Sequence, residues 1–332
     1  MHSLFQRVIP LVLMLGLAAC TSGSLAATEA TPSPGATTTT GGTTPTGVTP
    51  TSITPTGATP APTIVPVGLR VSIIAATHDR VMVYQGETVQ RAFTARVDAN
   101  GQLLFLKEID HIGLWTHIVA TSDTLFFYNL YLRSGFVARI GSDGALITLK
   151  TYAAGSVKEI THFVAQGDSV FAYHRDTRSG TVFTFEADGT ITNRKTYGPG
   201  NVQDLTNFVA TGTAVFGYNH DTRSGTVFHI EADGTITNLK SYAPGNVQNI
   251  TDFVATADRV FAYNHDTLSG TVFRIEADGT ITNLKSYAPG NVQRITQFGA
   301  TADRLVFFNN FTQKGVVSRL DPDGSIVNLS TF

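Results

Sequence analysis

The sequence contains few of the residues that cross-link a chain or bind metal ions. Its 332 residues include one cysteine, one tryptophan and three methionines. A single cysteine excludes an internal disulfide, so packing alone must hold the fold together. Charged residues make up 14% of the chain, and 23 Lys and Arg nearly balance 25 Asp and Glu. Nucleic-acid binding needs clustered cations that neutralise phosphates, so we expect no nucleic-acid partner.

The apolar run at the N-terminus, residues 8–19, is too short to span a bilayer. It follows a short segment that contains Arg7, a pattern typical of a signal peptide over residues 1–19. The run ends in LAAC, whose last letter is Cys20, and this resembles the lipobox of bacterial lipoproteins. The resemblance implies that Cys20 carries a lipid, such as diacylglycerol with palmitate, and anchors the chain on the extracytoplasmic face of a cell-envelope membrane. An ordinary secretory signal with an incidental Cys20 is the alternative.

The segment after the cysteine differs in composition from the rest of the chain. Residues 20–67 consist largely of Thr, Pro, Gly, Ala and Ser. Such a stretch buries too little apolar surface to offset its chain entropy, so we predict a disordered linker. The folded domain is predicted over residues 68–332.

That domain repeats itself. Tyr173, Tyr218 and Tyr263 are spaced 45 residues apart, and so are the turns Asp188-Gly189 and Asp233-Gly234. A fixed period of this length is the mark of a repeat architecture. Alignment on these residues divides the domain into six units, 71–114, 115–159, 160–204, 205–249, 250–294 and 295–332.

Each unit has the pattern of four short strands. In the fifth unit we predict strands over residues 250–256, 259–264, 271–276 and 281–287, with a hairpin turn at Asp278-Gly279. Six such units predict an all-β fold, a β-propeller of six four-stranded blades with the polar fourth strand outermost. A parallel β-helix is the competing fold, and five or seven blades would result if the terminal units paired differently.

The loop after the second strand and the connection after the fourth strand lie on the same face of such a propeller. They combine aromatic, imidazole, amide and carboxylate groups, which suit recognition of sugars by ring stacking and hydroxyl hydrogen bonds. Local turn chemistry is the competing explanation. The candidate ligand-binding residues are Tyr173, His174, Arg175, Asp176, Asn201, Gln203, Tyr218, Asn219, His220, Asp221, Asn246, Gln248, Tyr263, Asn264, His265, Asp266, Asn291 and Gln293.

The six units resemble the blades of lectin propellers of the tachylectin and tectonin type. The likeness lies in the repeat length, in the second strand rich in Phe and Tyr, and in the Asp-Gly turn before the fourth strand. It implies one shallow sugar site per blade or blade junction. Propeller lipoproteins that assist outer-membrane barrel assembly are a second comparison.

We therefore expect a non-enzymatic, surface-exposed lipoprotein that binds a glycan or cell-wall polymer, with no cofactor, no bound metal ion and no catalytic residues. An envelope scaffold that binds other proteins is the alternative. A hydrolase is a third hypothesis, and it predicts one blade that departs from the repeat and supplies a solitary acid. Glu108, Asp110 and Glu159 are the available acids in the divergent first two units.

Overall fold

The computed structural model describes residues 70–86 and 90–332. The predicted signal peptide, Cys20 and the linker lie outside these residues. The strands, in chain order, are β1 (Ile73–Ala76), β2 (Arg80–Gln85), β3 (Arg91–Val97) and β4 (Leu103–Ile109) in blade 1; β5 (His117–Ala120), β6 (Leu125–Asn129), β7 (Ser134–Ile140) and β8 (Leu146–Tyr152) in blade 2; β9 (His162–Gln166), β10 (Ser169–His174), β11 (Ser179–Phe185) and β12 (Ile191–Tyr197) in blade 3; β13 (Asn207–Ala210), β14 (Val215–Asn219), β15 (Ser224–Ile230) and β16 (Ile236–Tyr242) in blade 4; β17 (Asp252–Ala255), β18 (Arg259–Asn264), β19 (Ser269–Ile275) and β20 (Ile281–Tyr287) in blade 5; and β21 (Gln297–Ala300), β22 (Leu305–Asn309), β23 (Lys314–Leu320) and β24 (Ile326–Thr331) in blade 6.

The strands form six antiparallel four-stranded sheets, and within each sheet they pair in chain order. The first strands of successive blades contact one another, and β21 of blade 6 contacts β1 of blade 1, so the blades close into a ring around a central channel. The predicted six-bladed, all-β propeller is confirmed. No described segment forms a helix that could cross a membrane.

The position of each strand in a blade follows from its side chains. The second strand lies between two hydrogen-bonded neighbours, and in β14 all five residues are buried, including Phe216 and Tyr218. The fourth strand has only one such neighbour, and its Thr, Asn, Lys and Ser side chains are mostly exposed in β16. The most polar strand therefore forms the outer edge of the blade, as predicted.

The hydrophobic core is divided among the junctions between blades. Six clusters of buried residues each combine side chains from two neighbouring blades. At the junction of blades 4 and 5, for example, Phe216 packs edge-on against Phe273, with ring centroids 6.1 Å apart. A single blade cannot bury its apolar faces alone, so each one is stabilised by its neighbours.

Polar contacts at the Asp-Gly turns also join the blades. Gly279 has a φ of 81°, which favours glycine, and the carboxylate of Asp278 accepts a hydrogen bond from the Thr280 amide at 2.8 Å. Lys240 of blade 4 donates to the Thr280 hydroxyl at 2.7 Å, and Tyr242 donates to the Gly279 carbonyl at 3.0 Å. The outer strand of one blade is thus bound to the turn of the next.

The structure differs from the predicted strand bounds at the start of the third strand. We expected the third strand of blade 5 to begin at residue 271, but Ser269 and Gly270 already pair with Asn264 and Tyr263. Leu268 has a φ of 53° and completes the reversal of the chain, so the two turn-forming residues after it are free to pair.

Candidate functional site in the cavities between blades

The repeated tyrosines form part of the core. Tyr173, Tyr218 and Tyr263 are fully buried. The Tyr218 hydroxyl donates to the Gln248 carbonyl at 3.0 Å and accepts the Ile250 amide at 3.4 Å. These tyrosines bind the backbone of the connection that leads into the next blade. Because they are buried, they expose no ring face on which a sugar could stack. The same pair of contacts is made by Tyr173 and Tyr263.

The repeated asparagines after the tyrosines are also structural. Asn219 and Asn264 are buried, and the Asn219 side-chain amide donates to the Asp204 carbonyl at 2.8 Å. Its oxygen accepts the Thr222 amide at 2.9 Å, which caps the loop between the second and third strands. Asn264 makes the equivalent contacts one blade later. In both side chains the amide nitrogen and the oxygen are bonded to the backbone, and burial keeps them from a ligand.

Among the other predicted residues, the structure brings Arg175 and Asp221 together across a blade junction. Arg175 bonds Asp204 at 3.4 Å and Asp221 at 2.9 Å, which joins two adjacent blades. The exposed set comprises Asp176, His220, Asp221, Asp266, Asn201, Gln203, Asn246, Gln248, Asn291 and Gln293, and His265 is half-buried.

The mouth of the central channel carries a belt of polar side chains at the first residue of five inner strands. His117 contacts the Thr116 hydroxyl at 2.9 Å and the Thr161 carbonyl of the next blade at 3.1 Å. Burial lowers the pKa of His117, and burial together with nearby cations lowers the pKa of His162. His117 thus bridges blades 2 and 3, and burial favours the neutral form of both rings. The later members of the belt are Asn207, Asp252 and Gln297.

The cavities between neighbouring blades include three at which a connection passes over the next sheet. Their volumes are about 310 Å³ between blades 2 and 3, about 210 Å³ between blades 3 and 4, and about 1020 Å³ between blades 5 and 6. Asn201 and Gln203 line the blade 3/4 cavity, and Asn291 and Gln293 line the blade 5/6 cavity. Since the repeat places these cavities at equivalent positions, the residues that differ among them distinguish their chemistry.

The blade 2/3 cavity departs from the repeat at the end of the second strand. His174 occupies the position that Asn129, Asn219, Asn264 and Asn309 fill in other blades. Its Nδ1 accepts the Thr177 amide at 3.2 Å, as the asparagine oxygen does elsewhere. Because this N–H points at Nδ1, the neutral ring carries its proton on Nε2. The histidine therefore preserves the loop and adds a group that can take up a proton.

The two ring nitrogens of His174 face a hydroxyl and a carboxylate. The Thr177 hydroxyl lies 3.0 Å from Nδ1, and Glu159 Oε1 lies 3.7 Å from Nε2. The His174 side chain is only 18% exposed. A hydroxyl, an imidazole and a carboxylate in this order form the arrangement by which enzymes activate a nucleophile.

The hydroxyl chain extends to the cavity wall. Thr177 Oγ1 and Ser179 Oγ are 2.7 Å apart, and Ser179 lines the cavity together with His174 and Glu159. Arg178, which separates the two hydroxyl residues, has a φ of 50°. This reversal of the backbone places both hydroxyls on the same side of the hairpin. A proton on Ser179 thus has a hydrogen-bonded route to His174.

Glu159 is positioned by the preceding blade. The Tyr128 hydroxyl donates to the Lys158 carbonyl at 2.9 Å and accepts the Ile160 amide at 3.2 Å, so the backbone is held on both sides of Glu159. The glutamate side chain remains 56% exposed. Aromatic and polar side chains form the other walls of the cavity, among them Phe126, Tyr152, Phe183, Tyr197, Thr181 and Asn193.

The sequence analysis named His174 as a candidate ligand-binding residue and Glu159 only as an available acid, and it did not name Thr177 or Ser179. Comparison of the repeat units position by position would have singled out Glu159, because it corresponds to Asp204, Asn249 and Arg294. Thr177 and Ser179 give no such signal, since Thr222 and Ser224 repeat them. Within residues 70–86 and 90–332, no group of three or more His, Cys, Asp and Glu side chains is arranged to hold a metal ion.

Comparison with known proteins identifies the fold. No protein-family model and no curated protein matches the chain. Among solved structures, the periplasmic gluconolactonase of Pseudomonas aeruginosa is 16% identical, with a TM-score of 0.51 over 78% of this chain and 84% of that one. A proposed 6-phosphogluconolactonase of Bacteroides uniformis is 12% identical, with a TM-score of 0.50 over 76% and 84%. A protein of unknown function from Desulfotomaculum acetoxidans is 13% identical, with a TM-score of 0.53 over 80% and 87%.

These comparisons correct two predictions. The chain was expected to be a non-enzymatic binding protein that resembles lectin propellers, but two of the three propellers above bear lactonase names and none bears a lectin name. The expectations of a non-enzymatic lectin-like role and of no enzymatic activity are therefore wrong. At these identities the similarity establishes the shared fold, and the chemistry has to be argued from the chain's own residues.

Proposed function

We propose that this protein is a hydrolase that opens a small lactone in the blade 2/3 cavity, with His174 as the general base. The observation that carries the proposal is the position of His174 between the Thr177 hydroxyl at 3.0 Å and the Glu159 carboxylate at 3.7 Å. Four other blades have asparagine at this position and lack the arrangement.

The first half of the reaction transfers the acyl group to Ser179. Its hydroxyl oxygen attacks the lactone carbonyl carbon, while its proton moves to Thr177 and the Thr177 proton moves to His174 Nδ1. The ring C–O bond then breaks, and the departing alkoxide takes the proton from His174. In the second half, the oxygen of a water molecule attacks the acyl carbon, and the water proton moves through Thr177 to His174. The bond between the acyl carbon and the Ser179 oxygen then breaks, and that oxygen takes the proton back from His174 through Thr177. The product is the open-chain hydroxy acid.

Glu159 acts through His174 in this scheme. The protonated ring that forms during each half-reaction lies next to a carboxylate, which stabilises the positive charge. The 3.7 Å separation is longer than a hydrogen bond, and such contacts often tighten only when substrate is bound. Glu159 is thus a positioning residue, and His174 and Ser179 are the catalytic residues.

A small lactone fits the cavity in size and chemistry. The volume of about 310 Å³ lies near the lower end of the range of about 300–1,000 Å³ for small-molecule sites. Tyr152 and Tyr197 offer ring surfaces, while Thr181 and Asn193 offer hydrogen bonds to hydroxyl groups. The gluconolactonase name of one similar propeller suggests a sugar lactone as the first substrate to test.

The test incubates the full chain with a panel of five- and six-membered sugar lactones and measures the rate of acid release in a pH-stat. We expect the wild-type protein to open at least one lactone faster than buffer, and to form a transient acyl ester on Ser179 that mass spectrometry detects. Ser224 occupies the same position in blade 4 without a histidine partner and should stay unmodified. A wild-type protein that opens none of the lactones above the buffer rate would refute the proposal.

We further propose that the propeller is lipidated at Cys20 and held at the extracytoplasmic face of the cell envelope. What supports this is the leader sequence that ends in Cys20, which is the only cysteine of the chain. Metabolic labelling with palmitate tests it. The wild-type chain should incorporate label and fractionate with membranes, and C20S should do neither. Equal labelling of the two chains would refute the anchor.

A further inference from the structure

The largest of the three junction cavities lies between blades 5 and 6, and the residues that line it differ in chemistry from those of the other two. Its volume of about 1020 Å³ is more than three times that of the blade 2/3 cavity. Its floor is aromatic, built from Phe261, Tyr287, Phe307, Phe308 and Phe332. Amide side chains, including Gln293 and Asn328, stand at its edge. The cavity is large enough for a ligand of ordinary size with an apolar body.

Two cationic residues in the cavity wall differ from the residues at the equivalent positions of the other blades. Arg294 occupies the position of Glu159, Asp204 and Asn249, and Lys314 occupies a position that is serine in blades 2 to 5. No Asp or Glu side chain is among the described residues that line the cavity. The position of Arg294 thus carries a carboxylate at two other junctions, whereas the blade 5/6 cavity has two cations in its wall.

Both cations are available to a ligand. Neither forms an ion pair within the described part of the chain. The Arg294 guanidinium lies 5.2 Å from the ring centroid of Phe311, which is 71% exposed. This contact holds the guanidinium over a flat apolar surface and leaves its N–H groups free to bind an anion.

We propose that the blade 5/6 cavity binds an organic anion with a carboxylate, sulfonate or phosphate head and an apolar, preferably aromatic, body. The head pairs with Arg294 and Lys314, and the body lies on Tyr287 and Phe332, the two partly exposed rings of the cavity. This site is distinct from the proposed lactone site, since it lies three blades away and lacks a histidine–carboxylate pair. It concerns binding and requires no chemical step.

The test uses anilinonaphthalenesulfonate, an aromatic sulfonate whose fluorescence rises when it leaves water, and its neutral analogue phenylnaphthylamine. The double variant R294N/K314S installs the residues that blades 4 and 5 carry at these positions, so the repeat itself shows that they fit the fold. The control K240S/R274T removes the same charge outside the cavity, with residues that blades 6 and 3 carry.

We expect saturable binding of the sulfonate by the full chain, with a Kd that R294N/K314S raises at least about tenfold, equivalent to about 1.4 kcal/mol. The control should bind as the wild type does, and the neutral analogue should bind all three proteins equally. Unsaturable binding, an unchanged Kd in R294N/K314S, or an equal loss in the control would each overturn the proposal.

Discussion

The hydroxyl of Tyr218 in blade 4 donates a 3.0 Å hydrogen bond to the carbonyl of Gln248, in the connection to blade 5. The same hydroxyl accepts the amide of Ile250, and the tyrosine is fully buried. One side chain thereby satisfies two backbone groups that the connection would otherwise leave without partners. Tyr128, Tyr173 and Tyr263 repeat this contact, so the motif determines how consecutive blades are joined.

Removal of this hydroxyl should destabilise the propeller. In Y218F the Gln248 carbonyl and the Ile250 amide lose their common partner, and an unsatisfied buried polar group costs about 1–3 kcal/mol. We expect the free energy of unfolding to fall by that amount in urea denaturation. Tyr131 is 84% exposed, and Y131F should leave stability unchanged. Equal stability of Y218F and the wild type would contradict the structural role of the tyrosines.

The glycine at the second position of the third strand in blades 2 to 6 should resist substitution. A Cβ on Gly225 would come within 2.5 Å of Cε2 of Phe216, a ring that is itself 1% exposed. Overpacking of a dense core costs about 1–3 kcal/mol, so G225A should lower the melting temperature. Gly198 has only Asn201 Nδ2 nearby, at 3.5 Å. If G198A destabilised the protein as much as G225A does, the crowding would not be the cause.

The histidine belt at the channel mouth should make stability depend on pH. Burial lowers the pKa of His117 and of His162 below the value of about 6.5 in the unfolded chain. The unfolded state then binds more protons as the pH falls, so this part of the stability is present above about pH 6.5 and is lost below it. In H117N/H162N, which copies Asn207 of blade 4, the loss between about pH 7.5 and pH 5 should be smaller. An identical pH dependence in the variant and the wild type would refute the assignment.

Glu159 should affect turnover more than substrate binding. E159N copies Asn249 at the equivalent position, and it removes the carboxylate that faces the protonated His174. We expect kcat to fall on the order of tenfold, which corresponds to about 1.4 kcal/mol, with KM unchanged. Steady-state kinetics on a lactone substrate measures both quantities. D204N alters the same position at the next junction and should leave kcat unchanged, whereas a rise in KM alone for E159N would point to a binding role.

Much of the architecture could be predicted because it is encoded locally and repeated. The 45-residue spacing of Tyr173, Tyr218 and Tyr263 indicates the blade, and the alternation within each unit indicates four strands. The bounds of β18 and β20 agree with the predicted strands. Asp278-Gly279 forms the predicted hairpin turn, since its φ and its hydrogen bonds depend only on neighbouring residues.

The candidate site could not be predicted in the same way, because it is formed between blades. A tyrosine in a strand of alternating pattern is compatible with either a core or a binding face. Tyr218 is buried because the connection that leads into blade 5 packs over it. His174 and Glu159 belong to different blades and meet only where the two blades pack. The departures of His174 and of Glu159 from the repeat were visible in the sequence, but the contact between the two side chains was not.

The most direct test of the account is the ratio of kcat/KM for lactone opening between the wild-type protein and H174N. The variant carries the residue of blades 2, 4, 5 and 6, so its fold should be retained, and circular dichroism can verify this. We expect a loss of about 10²- to 10⁴-fold, the usual contribution of a general base. H220N, which copies Asn310 on the exposed loop face, should keep wild-type activity. Wild-type kcat/KM in H174N would contradict the role of His174 as the general base.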